Sequence, residues 1–357
     1  MNYKIEKLTT INAIDSILYL KLDNDLIRVL KFHDEKLVLE NYNSIEYNFI
    51  DSIEFQINDI VFEKIYDFQF FPEIEKFCIC FGDVVALFNR GGSIFLKHKR
   101  DDGILSSYFV DHQTLYLELY EFSGNRALGI WNMASNTIKE LELESYGHYN
   151  RNFKIENTNT ILYGTANAYW CGVHLHVLST EKDTLSYINE KNLVCGRHEI
   201  ECYAISINSI GDEFLIITEN DNGKIPFLCY YSIFNQSQPI AEFRLFEHSN
   251  ILSNYLDTSF LLDDILLVVT RKKIGLLKPS MDSKNQNNTF NLIKRDENSC
   301  YTLNNEKGQF LCIRDNQIYS YTINEKSFEI PVERKHKMNN FLSDIKKGEF
   351  QVKEVGE

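Results

Sequence analysis

A single arrangement of apolar and polar positions recurs along the chain: a short apolar run, a polar turn, and a second run in which apolar and charged residues alternate. Ala127–Leu143 (ALGIWNMASNTIKELEL) displays it most plainly. Leu141 and Leu143 alternate there with Glu140, Glu142 and Glu144, the period-2 spacing of a half-buried hairpin. The same arrangement is read at 26–40 (LIRVLKFHDEKLVLE), 84–98 (VVALFNRGGSIFLKH), 127–143, 173–188 (VHLHVLSTEKDTLSYI), 227–245 (FLCYYSIFNQSQPIAEFRL), 274–294 and 317–332 (QIYSYTINEKSFEIPV). These starts are 43 to 58 residues apart, the period expected of propeller blades. Upstream of the hairpins lie further apolar segments, such as 66–71 with 77–81 and 204–207 with 214–218, so each unit holds four strands. One four-stranded sheet cannot bury both of its faces, whereas radial stacking of several does so and leaves only short edges.

The fold predicted is therefore all-β: a seven-bladed β-propeller of four-stranded antiparallel blades over 1–332, followed by a C-terminal tail at 333–357. The lone strand at Tyr3–Leu8 is expected to close the ring by pairing near Phe328–Val332. Residues 41–64, with alternating Ile45, Tyr47, Phe49 and Ile53, Phe55, Ile57, read as an extra hairpin inserted after the first unit. Asn89–Gly92, Ser123–Asn125 and Asn220–Gly223 place Gly and Asn where turns need them. Asn220–Gly223 lacks the ligand spacing of a calcium loop and reads as a plain turn.

With the units laid out, the chain resembles the WD40-like group of seven-bladed β-propellers. Trp131–Asn132 occupies the place where that family ends its third strand in Trp-Asp, with Asn132 in the position of the Asp. Tyr203–Ile216 (YAISINSIGDEFLI) resembles the family's first and second strands around a Gly-Asp turn. No unit has the family's Gly-His opening with its locking Asp. The resemblance implies a platform for binding proteins or peptides.

The net charge of −14 opposes general nucleic-acid binding, which needs a basic face. Eight cysteines without a CxxC pair, most of them within apolar strand patterns, read as reduced core residues of a cytoplasmic protein. The first twenty residues carry Lys4, Glu6, Lys7 and Asp15 and hold no signal peptide. No stretch is long enough to span a bilayer.

His98, His148, His198 and His248 are spaced fifty residues apart, and each is assigned to the connection leading from one blade to the next. Those connections would gather around one mouth of the ring. Tyr146, His148, Tyr149, Arg151, Trp170, Arg197, His198 and His248 are accordingly the candidate binding residues. No catalytic, metal or cofactor-binding residues are assigned. His174 and His176 would share one strand face but lack a visible third ligand. GxSxG, HExxH, GxxxxGK[ST] and GxGxxG signatures are all missing. The function expected is a non-catalytic scaffold or inhibitor (immunity-type) protein that binds a protein partner with a basic surface. The alternative is a metal-assisted hydrolase or lyase with its site in the central funnel.

Overall fold

The computed structural model describes residues 3–12, 16–23, 25–57, 60–62, 64–120, 125–146, 149–154, 160–167, 172–179, 184–187, 202–208, 210–219, 226–232, 234, 240–244, 257–262, 264–278, 291–297, 299–305, 307–324 and 331–347. They form an all-β propeller of antiparallel sheets with one helix.

Strand β1 (Tyr3–Asn12) precedes the units. The first unit holds β2 (Ser16–Leu22), β3 (Leu26–His33), β4 (Lys36–Asn43) and β5 (Phe49–Phe55). Next come β6 (Asp67–Phe71), β7 (Lys76–Cys80), β8 (Gly82–Asn89) and the long β9 (Ile94–Asp111), then β10 (Thr114–Tyr120), β11 (Asn125–Asn132) and β12 (Thr137–Tyr146). These seven strands form one continuous sheet, because the first half of β9 closes one unit and the second half opens the next. The fourth unit is β13 (Tyr149–Lys154), β14 (Thr160–Asn167), β15 (Gly172–Ser179) and β16 (Thr184–Tyr187). The fifth is β17 (Cys202–Ile207), β18 (Glu213–Glu219), β19 (Pro226–Ser232) and β20 (Ala241–Arg244). The sixth is β21 (Asp257–Leu261), β22 (Ile265–Val269), β23 (Lys273–Leu277) and β24 (Asn291–Lys294). Last come β25 (Tyr301–Asn304), β26 (Gln309–Arg314) and β27 (Gln317–Ile323), and then helix α1 (Val332–Lys347).

The final sheet is ordered β1-β27-β26-β25, so the N-terminal strand supplies its outermost member. Closure occurs as expected, but with a different partner. β1 pairs with β27 (Tyr3 opposite Ile323, Ile5 opposite Tyr321) rather than with 328–332. Of the hairpin read at 317–332, Gln317–Ile323 is β27 and Val332 belongs to α1, while 325–330 lie outside the described residues. The first unit also differs in phase. Its hairpin at 26–40 is the second and third strands, β3 and β4, and the supposed insertion at 41–64 contains the fourth, β5. The hairpins at 84–98, 127–143, 173–188, 227–245 and 274–294 are third and fourth strands.

Burial on both faces explains the near-continuous apolar runs, which alternate by destination rather than by polarity. In β7, Phe77 and Ile79 pack against Leu30, Leu37, Leu39 and Phe55 of the first unit, while Cys78 and Cys80 pack against Leu115, Leu117 and Trp131 on the other side. β26 repeats the device. Phe310 and Cys312 meet the sixth unit, and Leu311 and Ile313 meet Leu20, Leu22 and Val29 of the first. The first interface is an aromatic cluster, with Phe55 centred 4.9 Å from Phe88 and 5.6 Å from Phe77, both edge-on. Edge-to-face pairs of this kind add about 1 kcal/mol each beyond burial.

Cys78, Cys80, Cys300 and Cys312 are free thiols. Burial pushes Cys300 up to about 11 and Cys312 up to about 12. Since the thiolate is the reactive form, labelling of both in the native protein is expected to be negligible at pH 8 and to accelerate about tenfold per pH unit above it. Rapid release of chromophore from a disulfide reagent at pH 8 by Cys300 would contradict this assignment.

Candidate functional site

First strands of neighbouring units lie side by side at the hub: β25 with β2, β2 with β6, β6 with β9, β13 with β17 and β17 with β21. Their direction is set by side-chain contacts. The Tyr19 hydroxyl reaches Asp67 at 3.2 Å and Lys21 Nζ donates to Gln69 Oε1 at 2.9 Å, so a step of two along β2 matches a step of two along β6. Asp67 is buried, and it also accepts from Ser107 N–H (3.0 Å), Ser107 Oγ (3.1 Å) and Gln69 Nε2 (2.9 Å). Three successive first strands are thereby stitched through one carboxylate. Burial pushes the Asp67 carboxyl above its ordinary value, opposed by the Lys21 charge and the Ser107 and Gln69 donors. Burial likewise lowers the Lys21 ammonium, against the pull of Asp67. The clue in the sequence was an Asp at the head of an otherwise aromatic run (YDFQFF), a polar residue whose burial demands partners.

Trp131 ends the third strand of its unit, as the family resemblance implies. It is fully buried, and its Nε1 donates to Asn136 Oδ1 at 3.0 Å. Asn132 Oδ1 accepts from the N–H groups of Ala134 and Ser135, both at 3.0 Å, so the amide oxygen holds the turn as an aspartate would.

The Gly-Asp turn of the fifth unit anchors α1. Asn208 Oδ1 accepts from the N–H groups of Gly211 (3.0 Å) and Asp212 (3.1 Å), and the carboxylate of buried Asp212 receives Arg334 in a fork, Nε and Nη2 each at 2.8 Å. Glu213 adds a second contact to Arg334 at 2.8 Å. Burial acts to lower the guanidinium, but the Asp212 and Glu213 carboxylates outweigh it and raise its pKa. Met338 and Leu342 are buried, and Phe341 meets Phe234 edge-on at 5.5 Å. The tail from 333 onward therefore opens as a docked helix. Arg334→Ala leaves the buried Asp212 carboxylate with the Asn208 amide (2.8 Å) but without its guanidinium, a loss of roughly 3 kcal/mol, and is expected to release α1; amide exchange across 332–347 rising to unprotected rates checks it.

Of the eight residues assigned to the mouth, Tyr146 ends β12, and Tyr149 and Arg151 lie in β13 opposite Ala166 and Gly164. His148, Trp170, Arg197, His198 and His248 lie outside the described residues. His98 does not sit in a connection between units. It is in the paired part of β9 opposite Val85, with its ring 6.3 Å from Trp131. His98 is thus not at the position expected of it. Among the described residues, no group of three or more His, Cys, Asp or Glu could hold a metal. No described helix is long and apolar enough to cross a membrane.

The exposed apolar residues include a group missed by sequence reading. Ile45 in the β4–β5 turn is 72% exposed, and Phe49 and Ile50 at the start of β5 are 53% and 49% exposed. Asn43 holds this turn, its Oδ1 accepting from the N–H groups of Ile45 (2.8 Å) and Glu46 (2.9 Å), and Tyr47 turns inward to Ser320 at 3.2 Å. Alternation makes the segment read as an extra hairpin; it is the β4–β5 turn and the start of β5, the last strand of its sheet.

The chain has the fold of a WD40-like β-propeller, as comparison with solved structures bears out. The WD40 domain of Toxoplasma gondii coronin is similar with a TM-score of 0.59 and 8% identity, covering 92% of this chain and 88% of that one. Kuenenia stuttgartiensis hydrazine synthase gives 0.60 and 11% over 88% of this chain and 98% of that one. The β-propeller domain of Myceliophteria thermophila Cps50 (Swd1) gives 0.56 and 9% over 90% and 100%. No protein-family model matches the sequence, and no curated protein matches it.

Proposed function

We propose that this protein is a non-catalytic β-propeller of seven blades that binds a partner protein, as a scaffold or as an inhibitor-type cap. The observation that carries this reading is the exposure of three apolar residues, Ile45, Phe49 and Ile50, close together in sequence at one sheet edge beside exposed Glu46 and Asp51, since grouped apolar exposure rimmed by charge marks interaction sites. Propellers of the WD40-like kind suit the role, because their interlocked sheets present surface without rearranging. The chain's charge of −14 favours a partner with a basic face and speeds its encounter. The loop-rich face, where β12 ends in Tyr146 and β13 opens with Tyr149 and Arg151, offers further contact area to a large partner.

The test is affinity capture from native cells with wild type and an Ile45→Ser/Ile50→Ser variant in parallel. A partner recovered near one-to-one with wild type and depleted with the variant is the expected result. Recovery of no stoichiometric partner would refute the reading.

A further inference from the structure

We infer that the first half of β5 is a docking edge for an extended, lysine- or arginine-bearing segment of a partner protein, which adds beside it as a further strand; the inference rests on the protein-binding reading and specifies its surface. β5 is the last strand of its sheet, and no described strand pairs along its outer side. The strand is divided by its packing. Phe55 is buried and Ile53 packs against the core between the first two units, whereas Phe49, Ile50, Asp51 and Ser52 are all exposed, so both faces of the strand's first half are open.

Open edges invite pairing, and proteins usually blunt them with Lys, Pro or a bulge that turns the edge away. The sequence FIDSIEF contains neither Lys nor Pro. Its one irregularity of register is a bulge in β5 itself, where Asn41 lies opposite Asp51 and Tyr42 opposite Phe49, and the skipped residue, Ile50, is left 49% exposed. The apolar residues Ile45, Phe49 and Ile50 supply side-chain contact, and the edge's backbone supplies the ladder, the combination by which an added strand binds.

Charge selects the occupant. Glu46, Asp51 and Glu54 are exposed around the edge, and Lys36, 2.9 Å from Glu54, is the basic residue paired there. Asn41 Nδ2 donates to Asp51 at 2.6 Å and holds that carboxylate at the sheet. A second copy of β5 would bring its own Asp51 and Glu54 against these, so self-pairing is repelled and a segment alternating apolar with basic residues is accepted.

The full chain is titrated into a labelled ten-residue peptide alternating valine and lysine, and into its valine–glutamate counterpart, with fluorescence anisotropy as readout. The valine–lysine peptide is expected to bind and the valine–glutamate peptide to bind at least about tenfold more weakly. Ile50→Lys, which replaces an exposed side chain, should weaken the first peptide by at least about tenfold with the melting temperature unchanged. Equal binding of the two peptides, no binding of the first, or full affinity in Ile50→Lys overturns the inference. So does a concentration-dependent dimer that Ile50→Lys dissolves, since the occupant would then be a second copy. A native partner captured equally by wild type and Ile50→Lys would refute this edge while leaving the protein-binding reading intact. Peptide binding at the edge without any native partner would do the reverse.

Discussion

Gly92→Ala is expected to leave little folded protein, while Gly91→Ala, one residue away, melts with the wild type. Gly92 adopts φ +80°, and a Cβ there would lie 1.9 Å from the Glu54 carbonyl oxygen and 2.8 Å from its carbon. Both atoms are backbone and cannot swing aside. The approach is close because Gly92 closes the β8–β9 turn, its N–H donating to Asn89 O at 2.9 Å, and its own carbonyl accepts from Gln56 N–H at 2.9 Å, just beyond β5. The turn thus clips the second unit to the outer strand of the first. Strain at a left-handed position combined with a backbone clash costs about 3 kcal/mol or more, a large share of the stability of a domain. A Cβ on Gly91 meets nothing within 4 Å. Thermal melts of the two variants, recorded together, check the contrast, and equal melting temperatures would show that the contact yields.

Removing β1 is the second change with a large expected effect. Without residues 3–12 the last sheet loses its outermost strand, and the ladder of β27 is opened along its length. Tyr321, buried and stacked on Phe310 at 4.8 Å, pairs with Ile5 and would gain a solvent-facing side. The first and last units also share a core, in which Leu311, Ile313 and Ile318 meet Leu20, Ile27 and Val29, and loosening one wall weakens the other. A fall in melting temperature of about 4 °C is expected, since about 3 kcal/mol is at stake in a domain of this size. Differential scanning calorimetry of the truncated chain measures it, and an unchanged transition would remove β1 from the stabilising set.

Much of the fold was legible because blades repeat. A two-faced sheet leaves the same signature each time, and the Trp131 and Gly-Asp turn positions fell where the resemblance placed them. The phase of the first unit was not legible. β5 carries Asp51, Ser52 and Glu54 among its apolar residues, so the fourth strand looked like an insertion. The partner of Tyr3–Leu8 was misplaced for a related reason. The SFEIPV segment continues the alternating pattern past Ile323, and nothing local says that the ladder position beside β27 is filled from the other end of the sequence. His98 misled because spacing along a chain says nothing about pairing. The carboxylate at the hub was hidden too, since its partners Tyr19, Lys21 and Ser107 come from two other strands and converge only once the units stand in a ring.

β9 has a further consequence. Its 18 residues run without interruption from one unit into the next, whereas the first and second units are joined by non-strand residues between β5 and β6. The second and third units therefore lack a joint at which one can detach from the other, and they should open and close as a single cooperative block. Slow solvent exchange should extend in step across both, with the breathing of the ring displaced to its other seams.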